Sequence, residues 1–285
     1  MANLPQLKQE IRFTGQLGSL LNIIKAIAAQ QFQVLERSLR FNPAFFEAVQ
    51  AIAATFDLDR LSHPLTSGVG PAGVIAVTSD AGLLGGLNQQ VILAAVREYR
   101  KAPGELMIIG KRGARYAAEQ RVSFREFPGV QDETRRGLAE QVRDYTLNLV
   151  LGGRLGMLTI VHPYASSFTV QRVEVVHVVP CQRWLKAQPA VRGVRGRLLM
   201  ESSTASVLEY LVWIWLGQKL FEAFGMSRLA ELAARAVHLE MSSQELQRRK
   251  NKQMRRYFRE RHEVIDRGMR ELFAAKALYA NEAER

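Results

Sequence analysis

The C-terminal region of this chain lacks proline and has the pattern of one long helix, which is the strongest constraint on the fold. The last proline is Pro189, and apolar residues recur at heptad-like spacing from Leu229 to Leu272. At 1.5 Å per residue, a helix from Ser206 to Ala277 would be roughly 100 Å long. Such a helix is unusual in a globular domain unless a second helix packs along it.

The N-terminal region supplies a candidate partner helix. Its apolar residues follow spacings of three and four, which average near the 3.5 of a coiled-coil seam. Asn42-Pro43 interrupts the pattern as an N-cap and a first-turn proline, and a second helix is expected from about Pro43 to Phe56. The two ends of the chain are therefore predicted to form an antiparallel coiled coil. The predicted stripe contains Leu17, Leu20, Leu21, Ile24, Ile27, Ala28, Phe32, Leu35 and Leu39.

The middle of the chain alternates short β-branched runs with helical patterns. Strands are expected at 74–78, 106–109, 157–161 and 170–179, with helices at 88–101, 114–119 and 135–151. This order predicts a Rossmann-like, mostly parallel sheet with helices on its faces, so the fold class is α/β with a long coiled coil. The expected domains are 1–60 for the N-terminal helices, 70–199 for the α/β domain and 203–285 for the long helix, with a loop from Gln182 to Leu199.

The composition indicates a folded protein that meets acidic partners. The formal net charge is +12 and the sequence pI is about 10.2, which suits nucleic acid, an anionic membrane or an acidic protein surface. No apolar run approaches the roughly 20 residues of a membrane span, and the N-terminus has no secretory pattern. A bacterial cytoplasmic origin fits best. The single Cys181 excludes an internal disulfide and is expected to be a buried small hydrophobe.

A glycine-rich segment from Thr78 to Asn88 follows a predicted strand and precedes a predicted helix. A phosphate-binding loop occupies that position in nucleotide-binding folds. However, the segment lacks both Gly-x-Gly-x-x-Gly and the Gly-Lys-Ser/Thr of a P-loop. A tight turn with closely packed glycines is the favoured interpretation, and no cofactor is predicted.

No catalytic or metal-binding constellation emerges from the remaining polar residues. The five histidines are scattered, and no pair has ligand spacing on one helix face. The densest basic run, from Arg248 to Arg261, resembles a nucleic-acid-binding helix with Tyr257 and Phe258 interleaved. A solvated helix face of a coiled coil explains the same run.

Several segments resemble the gamma-subunit family of F-type ATP synthases. The segment 78–88, Thr-Ser-Asp-Ala-Gly-Leu-Leu-Gly-Gly-Leu-Asn, is similar to the family signature T-S/T-D-R-G-L-C-G-G-L-N. Residues 24–29 resemble A-M-x-M-V-A-A-S-K, residues 231–235 resemble E-H-A-A-R-M, and residues 257–265 resemble Y-N-x-A-R-Q-x-x-I-T. The resemblance covers nearly the whole chain in order. The signature residues that it singles out are Ser79, Asp80, Gly82, Gly85, Gly86 and Asn88.

The chain also departs from the family pattern. Ala81 replaces the usual arginine of the signature, and Leu84 replaces its cysteine. Gln30-Gln31 stands where the family has Ser-Lys, and the tail E-I-V-x-G-A is absent. His262 and Asp266 replace a glutamine and a threonine at positions that touch the catalytic subunits in family members. The resemblance therefore indicates a divergent gamma subunit, from an alternative or sodium-linked operon.

The resemblance implies a noncatalytic rotor shaft inside a hexamer of alpha and beta subunits. Its base would meet the epsilon subunit and the membrane c-ring, at the cytoplasmic face of the bacterial inner membrane, without nucleic acid. Leu278 and Tyr279 would turn in a hydrophobic bearing at the tip. The alternative is a basic coiled-coil protein that binds nucleic acid or an anionic scaffold. The rotor–stator contact residues carried over from the family are Ile24, Lys25, Arg256, Arg261, His262 and Asp266.

Overall fold

The computed structural model describes residues 4–39, 42–56, 61–185 and 202–283, without the side chains of Arg183 and 277–283. The chain separates into two compact units. Unit 1 contains residues 1–27 and 236–285, and unit 2 contains residues 28–235. Most of the predicted loop after Gln182 lies outside the described residues, as do the side chains of the predicted tip residues Leu278 and Tyr279.

Unit 2 contains a five-stranded sheet in the order β3-β2-β1-β4-β5. The strands are β1 (Ala72–Val77), β2 (Pro103–Ile109), β3 (Arg125–Phe127), β4 (Met157–Ala165) and β5 (Gln171–Val179). β1 pairs in parallel with β2 and β4, β2 pairs in parallel with β3, and β5 pairs antiparallel with β4. The prediction of a mostly parallel sheet is therefore confirmed. Sequence analysis missed β3, whose three residues are too short to show a period.

Eight helices lie in the described parts of the chain. They are α1 (Leu4–Ser38), α2 (Pro43–Ala53), α3 (Pro64–Ser67), α4 (Leu87–Tyr99), α5 (Lys111–Glu119), α6 (Arg135–Leu151), α7 (Gln182–Leu185) and α8 (Thr204–Ala283). The 80-residue α8 confirms the long C-terminal helix. As predicted, Asn42 caps α2, since its Oδ1 accepts the backbone N–H of Phe45 at 3.3 Å. The single turn α7 lies in the segment that was expected to be a loop.

The sheet of unit 2 is covered on both faces. On one face, Ile75, Met107 and Ile160 pack with α2, α6 and the first part of α8. On the other face, Val74, Ile108 and Val161 pack with α4 and α5. All six residues of β1 are buried, which explains its uninterrupted apolar sequence. Cys181 is fully buried in the first of these cores, as expected.

Unit 1 joins α1 to α8 largely through polar side chains. Lys25 Nζ lies 2.6 Å from Glu240 Oε2, and Ser243 Oγ donates to Asn22 Oδ1 at 2.9 Å. Further along, Thr14 Oγ1 donates to the backbone oxygen of Glu10 at 2.8 Å and lies 3.0 Å from Gln253 Oε1. These polar contacts fix which residues of the two helices face each other.

The predicted apolar stripe on α1 is wrong at two positions. Leu20 is 52% exposed and Ile27 is 49% exposed, so neither lies on the buried seam. The buried positions of α1 are Leu7, Thr14, Ala28, Phe32 and Leu35, spaced by seven, fourteen, four and three residues. Because spacings of three and four fit more than one face of this Leu- and Ile-rich helix, the sequence pattern included side chains from a neighbouring face.

Candidate functional site

The polar side chains of the glycine-rich turn after β1 form hydrogen bonds within the turn and with the start of α4. The backbone N–H of Ser79 donates to Asn88 Oδ1 at 3.2 Å, and Asn88 Nδ2 donates to Ser79 Oγ at 2.9 Å. Ser79 Oγ donates in turn to the carbonyl of Ala81 at 2.8 Å. Both Ser79 and Asn88 are buried. The signature serine and asparagine therefore close the turn onto the start of α4.

Asp80 joins this turn to the next strand–helix connection. Its Oδ1 accepts the backbone N–H of Lys111 at 2.8 Å, at the first residue of α5. A carboxylate at this place complements the positive end of the helix dipole. Gly129 packs so closely on this carboxylate that a Cβ there would lie 2.5 Å from Asp80 Cγ. Asp80 thus provides an anionic partner within the chain at the N-terminus of α5.

The tip of the turn needs left-handed backbone. Gly85 has φ of 58° and Gly86 has φ of 94°, which glycine adopts without steric cost. Leu83 also has a positive φ, 66°, although it carries a side chain that is 49% exposed. Gly82 packs beside Arg112, whose Nη2 would be 3.1 Å from an added Cβ. The four residues place one apolar side chain at the exposed tip.

The same turn attaches the sheet to α8 inside unit 2. Leu84 and Leu87 form a buried cluster with Ala230 and Ala234. Leu84 occupies the position of the family's cysteine, so here that position is an apolar packing residue. The sequence predicted the turn but not its contact with α8, because no local pattern links segments so far apart in the chain.

An ion triad lies next to this contact and explains the Glu-x-x-x-Arg motif. Glu231 is 6% exposed, and its Oε1 lies 2.9 Å from Arg228 Nη1 and 2.6 Å from Arg235 Nη2. The spacings of three and four residues place all three side chains on one face of α8. The motif residues therefore have a structural role in this chain.

The two rotor–stator candidates on α1 are partly buried. Ile24 is half-buried, and the Lys25 ammonium forms its ion pair with Glu240. The hydrogen bond from Lys25 is the main cause that holds the pKa of Glu240 below its usual range. Lys25 thus connects the two helices of unit 1.

The four candidates on α8 are all exposed. Arg256 Nε lies 2.9 Å from Glu260 Oε1, and His262 Nδ1 lies 2.7 Å from the carbonyl oxygen of Phe258. At 100° per residue, His262 and Asp266 share one side of α8, whereas Arg256 and Arg261 point in two other directions. The structure therefore distributes these side chains around the helix and does not gather them into one site.

Unit 1 contains a cationic groove that sequence analysis did not identify. Its volume is about 1050 Å³, and it lies where the first residues of α1 meet α8. The dense basic run of α8 indicated its charge, but the contribution of the N-terminus had no sequence signal. The lining residues are Leu4, Pro5, Glu10, Arg249, Lys252, Gln253, Arg255, Arg256, Arg259, Glu260, Glu263, Val264 and Arg267.

The charge of unit 1 is unevenly divided between its helices. Between Phe13 and Ile27, α1 carries a single charged residue, Lys25, which is ion-paired. The exposed side of this stretch contains Phe13, Leu20, Ile23 and Ile27. In contrast, α8 carries eight lysines and arginines from Arg248 to Arg261 against one acidic residue, Glu260.

The last described part of α8 exposes apolar side chains as well as charged ones. Val264, Ile265 and Met269 are 49–56% exposed, and Leu272 and Phe273 are 69% and 68% exposed. Every residue from 261 to 276 except Gly268 is exposed. An amphipathic helix gains most of its stability from tertiary packing, and this segment has little of it within the described residues.

The described residues contain neither a metal-binding cluster nor a helix of membrane-spanning character. No group of three or more His, Cys, Asp or Glu side chains there could hold a metal ion. None of the helices in the same parts of the chain contains an apolar stretch of the length that crosses a membrane.

Comparison with known proteins places the whole fold and sequence in one family. The model of the ATP synthase family matches residues 3–278. The ATP synthase gamma chain of Clostridium acetobutylicum is 24% identical over 252 residues, covering 85% of this chain and 86% of that protein. The gamma chain of Beutenbergia cavernae is 27% identical over 251 residues, covering 81% and 83%.

Solved structures show the same fold. A chain of the Euglena gracilis mitochondrial ATP synthase, in a structure of OSCP, F1 and the c-ring, aligns with a TM-score of 0.68 at 14% identity. That alignment covers 98% of this chain and 95% of the other. A chain of the central stalk and c-ring structure from Tetrahymena thermophila aligns with a TM-score of 0.55 at 17% identity, covering 79% and 99%.

These similarities favour the gamma-chain interpretation over the nucleic-acid-binding alternative. The family match includes both terminal helices and the α/β fold between them. The low identities agree with the substitutions at Ala81, Leu84, His262 and Asp266. The chain is therefore a divergent member of the ATP synthase gamma-chain family.

Proposed function

We propose that this chain is the central rotor shaft of a rotary F-type ATP synthase or ATPase. It couples ion flow through a membrane c-ring to ATP synthesis or hydrolysis in a hexamer of alpha and beta subunits. The chain has no active site of its own in this proposal, and its further partner is the epsilon subunit. It acts at the cytoplasmic face of the bacterial inner membrane as a peripheral component of the complex.

The exposed end of α8 is the observation that carries the proposal. Residues 261–276 expose five large apolar side chains together with charged ones, and each of these apolar side chains is about half exposed or more. Exposed apolar surface of this kind marks a protein interface. A surrounding sleeve of subunits would cover the helix on every side, which suits side chains that point in all directions.

The directions in which the candidate contact residues point support a turning shaft. Arg256, Arg261 and the pair His262/Asp266 point in three directions, so each neighbour around α8 would meet a different side chain. A shaft changes the state of a neighbouring subunit only through contacts that differ between its faces. Rotation would pass each contact from one catalytic subunit to the next.

Reconstitution with the alpha and beta subunits of the same genome tests the function. We expect one copy of the chain to co-elute with each hexamer and to be required for coupled ATPase activity. The charge reversals Arg256→Glu, Arg261→Glu and Asp266→Lys, combined in one variant, should lower rotation-coupled ATPase activity by about tenfold. Exposed contacts of this kind are weak, and a combined loss of about 1.4 kcal/mol corresponds to a tenfold lower rate.

Arg97→Glu is the matched control, since Arg97 is exposed on α4 in the α/β fold of unit 2. The control should retain full activity and co-elution. Unchanged activity in the triple variant would disprove the role of these residues. Failure of the wild-type chain to co-elute, together with salt-sensitive binding to nucleic acid, would disprove the shaft function itself.

A further inference from the structure

A second groove, in unit 2, has features of a protein-docking site. It has a volume of about 660 Å³ and lies between α6 and the first turns of α8. Apolar walls come from Leu65, Leu147 and Leu151. Its rim carries Tyr210, which is 61% exposed, and Trp213, which is 40% exposed. Exposed tyrosine and tryptophan in one groove are typical of binding hot spots.

The two rings are held in a fixed arrangement. Tyr210 and Trp213 are stacked with centroids 6.0 Å apart and an interplanar angle of 16°. Trp213 Nε1 donates to Asp144 Oδ1 at 3.1 Å, and the Arg143 guanidinium carbon lies 3.7 Å from the Trp213 ring centroid. Because these partners fix the indole, a ligand would not need to order it on binding.

The charged residues that line the groove are acidic, whereas the chain has a net positive charge. The groove lining includes the carboxylates of Asp144 and Glu209, and none of the described lining residues is lysine or arginine. Asp144 accepts from Arg143 Nε at 2.8 Å, and this hydrogen bond holds the pKa of the Asp144 carboxyl below its usual range. Glu209 Oε1 lies 3.0 Å from His63 Nε2, and the side chain remains 45% exposed. The groove lining therefore differs in sign from the net charge of +12 of the chain.

We propose that this groove docks a basic segment of a partner protein. A lysine or arginine of that segment lies on the Tyr210 ring, with its charge beside Glu209 and Asp144, and flanking apolar side chains cover the leucine walls. Cation–aromatic contact and charge complementarity both favour this occupant. The stack of Arg143 on Trp213 shows that the same chemistry already operates within the chain. The proposal goes beyond the shaft function and does not depend on it.

Peptide binding to the full-length chain tests the proposal. The probes are acetyl-Leu-Arg-Leu-Arg-Leu-amide and the matched peptides with glutamine or glutamate in place of arginine. Binding is followed by calorimetry and by tryptophan fluorescence, with Trp213→Phe identifying the signal of Trp213. We expect the arginine peptide to bind about fivefold more tightly than the glutamine peptide, and the glutamate peptide to bind most weakly.

Two variants locate the site. Glu209→Gln keeps the size of the side chain and removes its charge, and should weaken the arginine peptide by about fivefold. Tyr210→Ala should weaken it by about threefold. Glu119→Gln is the matched control, because it removes the same charge from an exposed residue of α5, on the opposite face of the sheet. It should leave the affinity unchanged.

Three results would overturn the proposal. Equal affinity for all three peptides would show that charge does not select the occupant. Equal weakening by Glu119→Gln and Glu209→Gln would show general attraction without a site. Concentration-dependent dimerisation in sedimentation that Tyr210→Ala abolishes would assign the groove to a second copy of the chain. If Tyr210→Ala fails to fold by circular dichroism, Glu209→Gln decides the matter, since its side chain is exposed and isosteric.

Discussion

Single carboxylates and amides hold the turns of the α/β fold in place. Asp80, Ser79 and Asn88 direct their hydrogen bonds to backbone groups or to one another within unit 2. These residues have the types expected in a ligand-binding loop, yet their polar atoms are used internally. Chemistry at this scale depends on where side chains point, which the sequence does not show.

Replacing Asp80 tests its role as a capping residue. Asp80→Ala leaves the N–H of Lys111 without its acceptor and removes the negative charge at the start of α5. We expect the free energy of unfolding to fall by about 1 kcal/mol. Urea unfolding measures the change, and the exposed Glu119→Gln on the same helix should shift it by less than about 0.5 kcal/mol.

Buried His162 predicts a pH dependence of stability. Burial lowers the pKa of its imidazole, with Lys219 acting in the same direction against Pro163 and Glu174, and Nε2 lies 3.7 Å from Glu174 Oε2. Above about pH 6.5 the folded and unfolded chains both hold a neutral imidazole. Below that pH the unfolded chain takes up the proton first, so the free energy of unfolding decreases as pH falls.

The test compares urea midpoints at pH 7.5 and pH 5.5. The wild-type chain should lose more stability on acidification than His162→Gln. His262→Gln removes an exposed imidazole and should retain the wild-type difference. An unchanged pH difference in His162→Gln would show that this histidine does not cause the effect.

Helices and strands differ in how well their sequences specify them. α8 could be predicted because heptad-like spacing and the absence of proline persist over many turns. The buried strands β1 and β2 could be predicted from β-branched runs. β3 could not, because three residues show no period, and the exposed Leu20 and Ile27 were assigned to the seam because leucine and isoleucine also occupy the neighbouring face of α1. The candidate grooves combine distant segments, so no local pattern indicated them.

The ion triad on α8 should stabilise unit 2 strongly. Glu231→Gln would remove the buried carboxylate that the half-buried Arg228 and Arg235 share. We expect a loss of about 3 kcal/mol in the free energy of unfolding. Glu245→Gln is the matched control, because Glu245 is 74% exposed in its side chain and lies 3.8 Å from Arg248. A loss no larger than that of the control would contradict a structural role for the triad.

The ion pair between Lys25 and Glu240 should fix the register of α1 against α8 more than it stabilises unit 1. Both side chains are partly exposed, so we expect the effects of Lys25→Ala and Glu240→Ala on stability to be nearly additive in a double-mutant cycle. Thermal unfolding of the four proteins measures these effects. A strongly non-additive result would mean that the pair is a main source of stability for unit 1.

At the scale of the whole molecule, charge is the property that most affects assembly. The net charge is +12, and its densest part is the basic run of α8. If the chain is the proposed shaft, its association rate with the alpha–beta hexamer should fall steeply between 50 and 300 mM salt, because screening shortens electrostatic steering. Stopped-flow measurement tests this, and a variant with Arg255→Gln and Arg259→Gln should show a weaker salt dependence.

The unequal charge of the two helices in unit 1 has a consequence for symmetry. The exposed side of α1 is nearly neutral, whereas α8 is strongly cationic, so the electrostatic field around unit 1 repeats once per full turn. Three identical neighbours spaced evenly around such a field would never all experience the same potential. The neighbours would differ in this way through charge alone, even if the two helices had no asymmetry of shape. In the proposed shaft, the electrostatics of these two helices would therefore be enough to make the neighbouring subunits unequal.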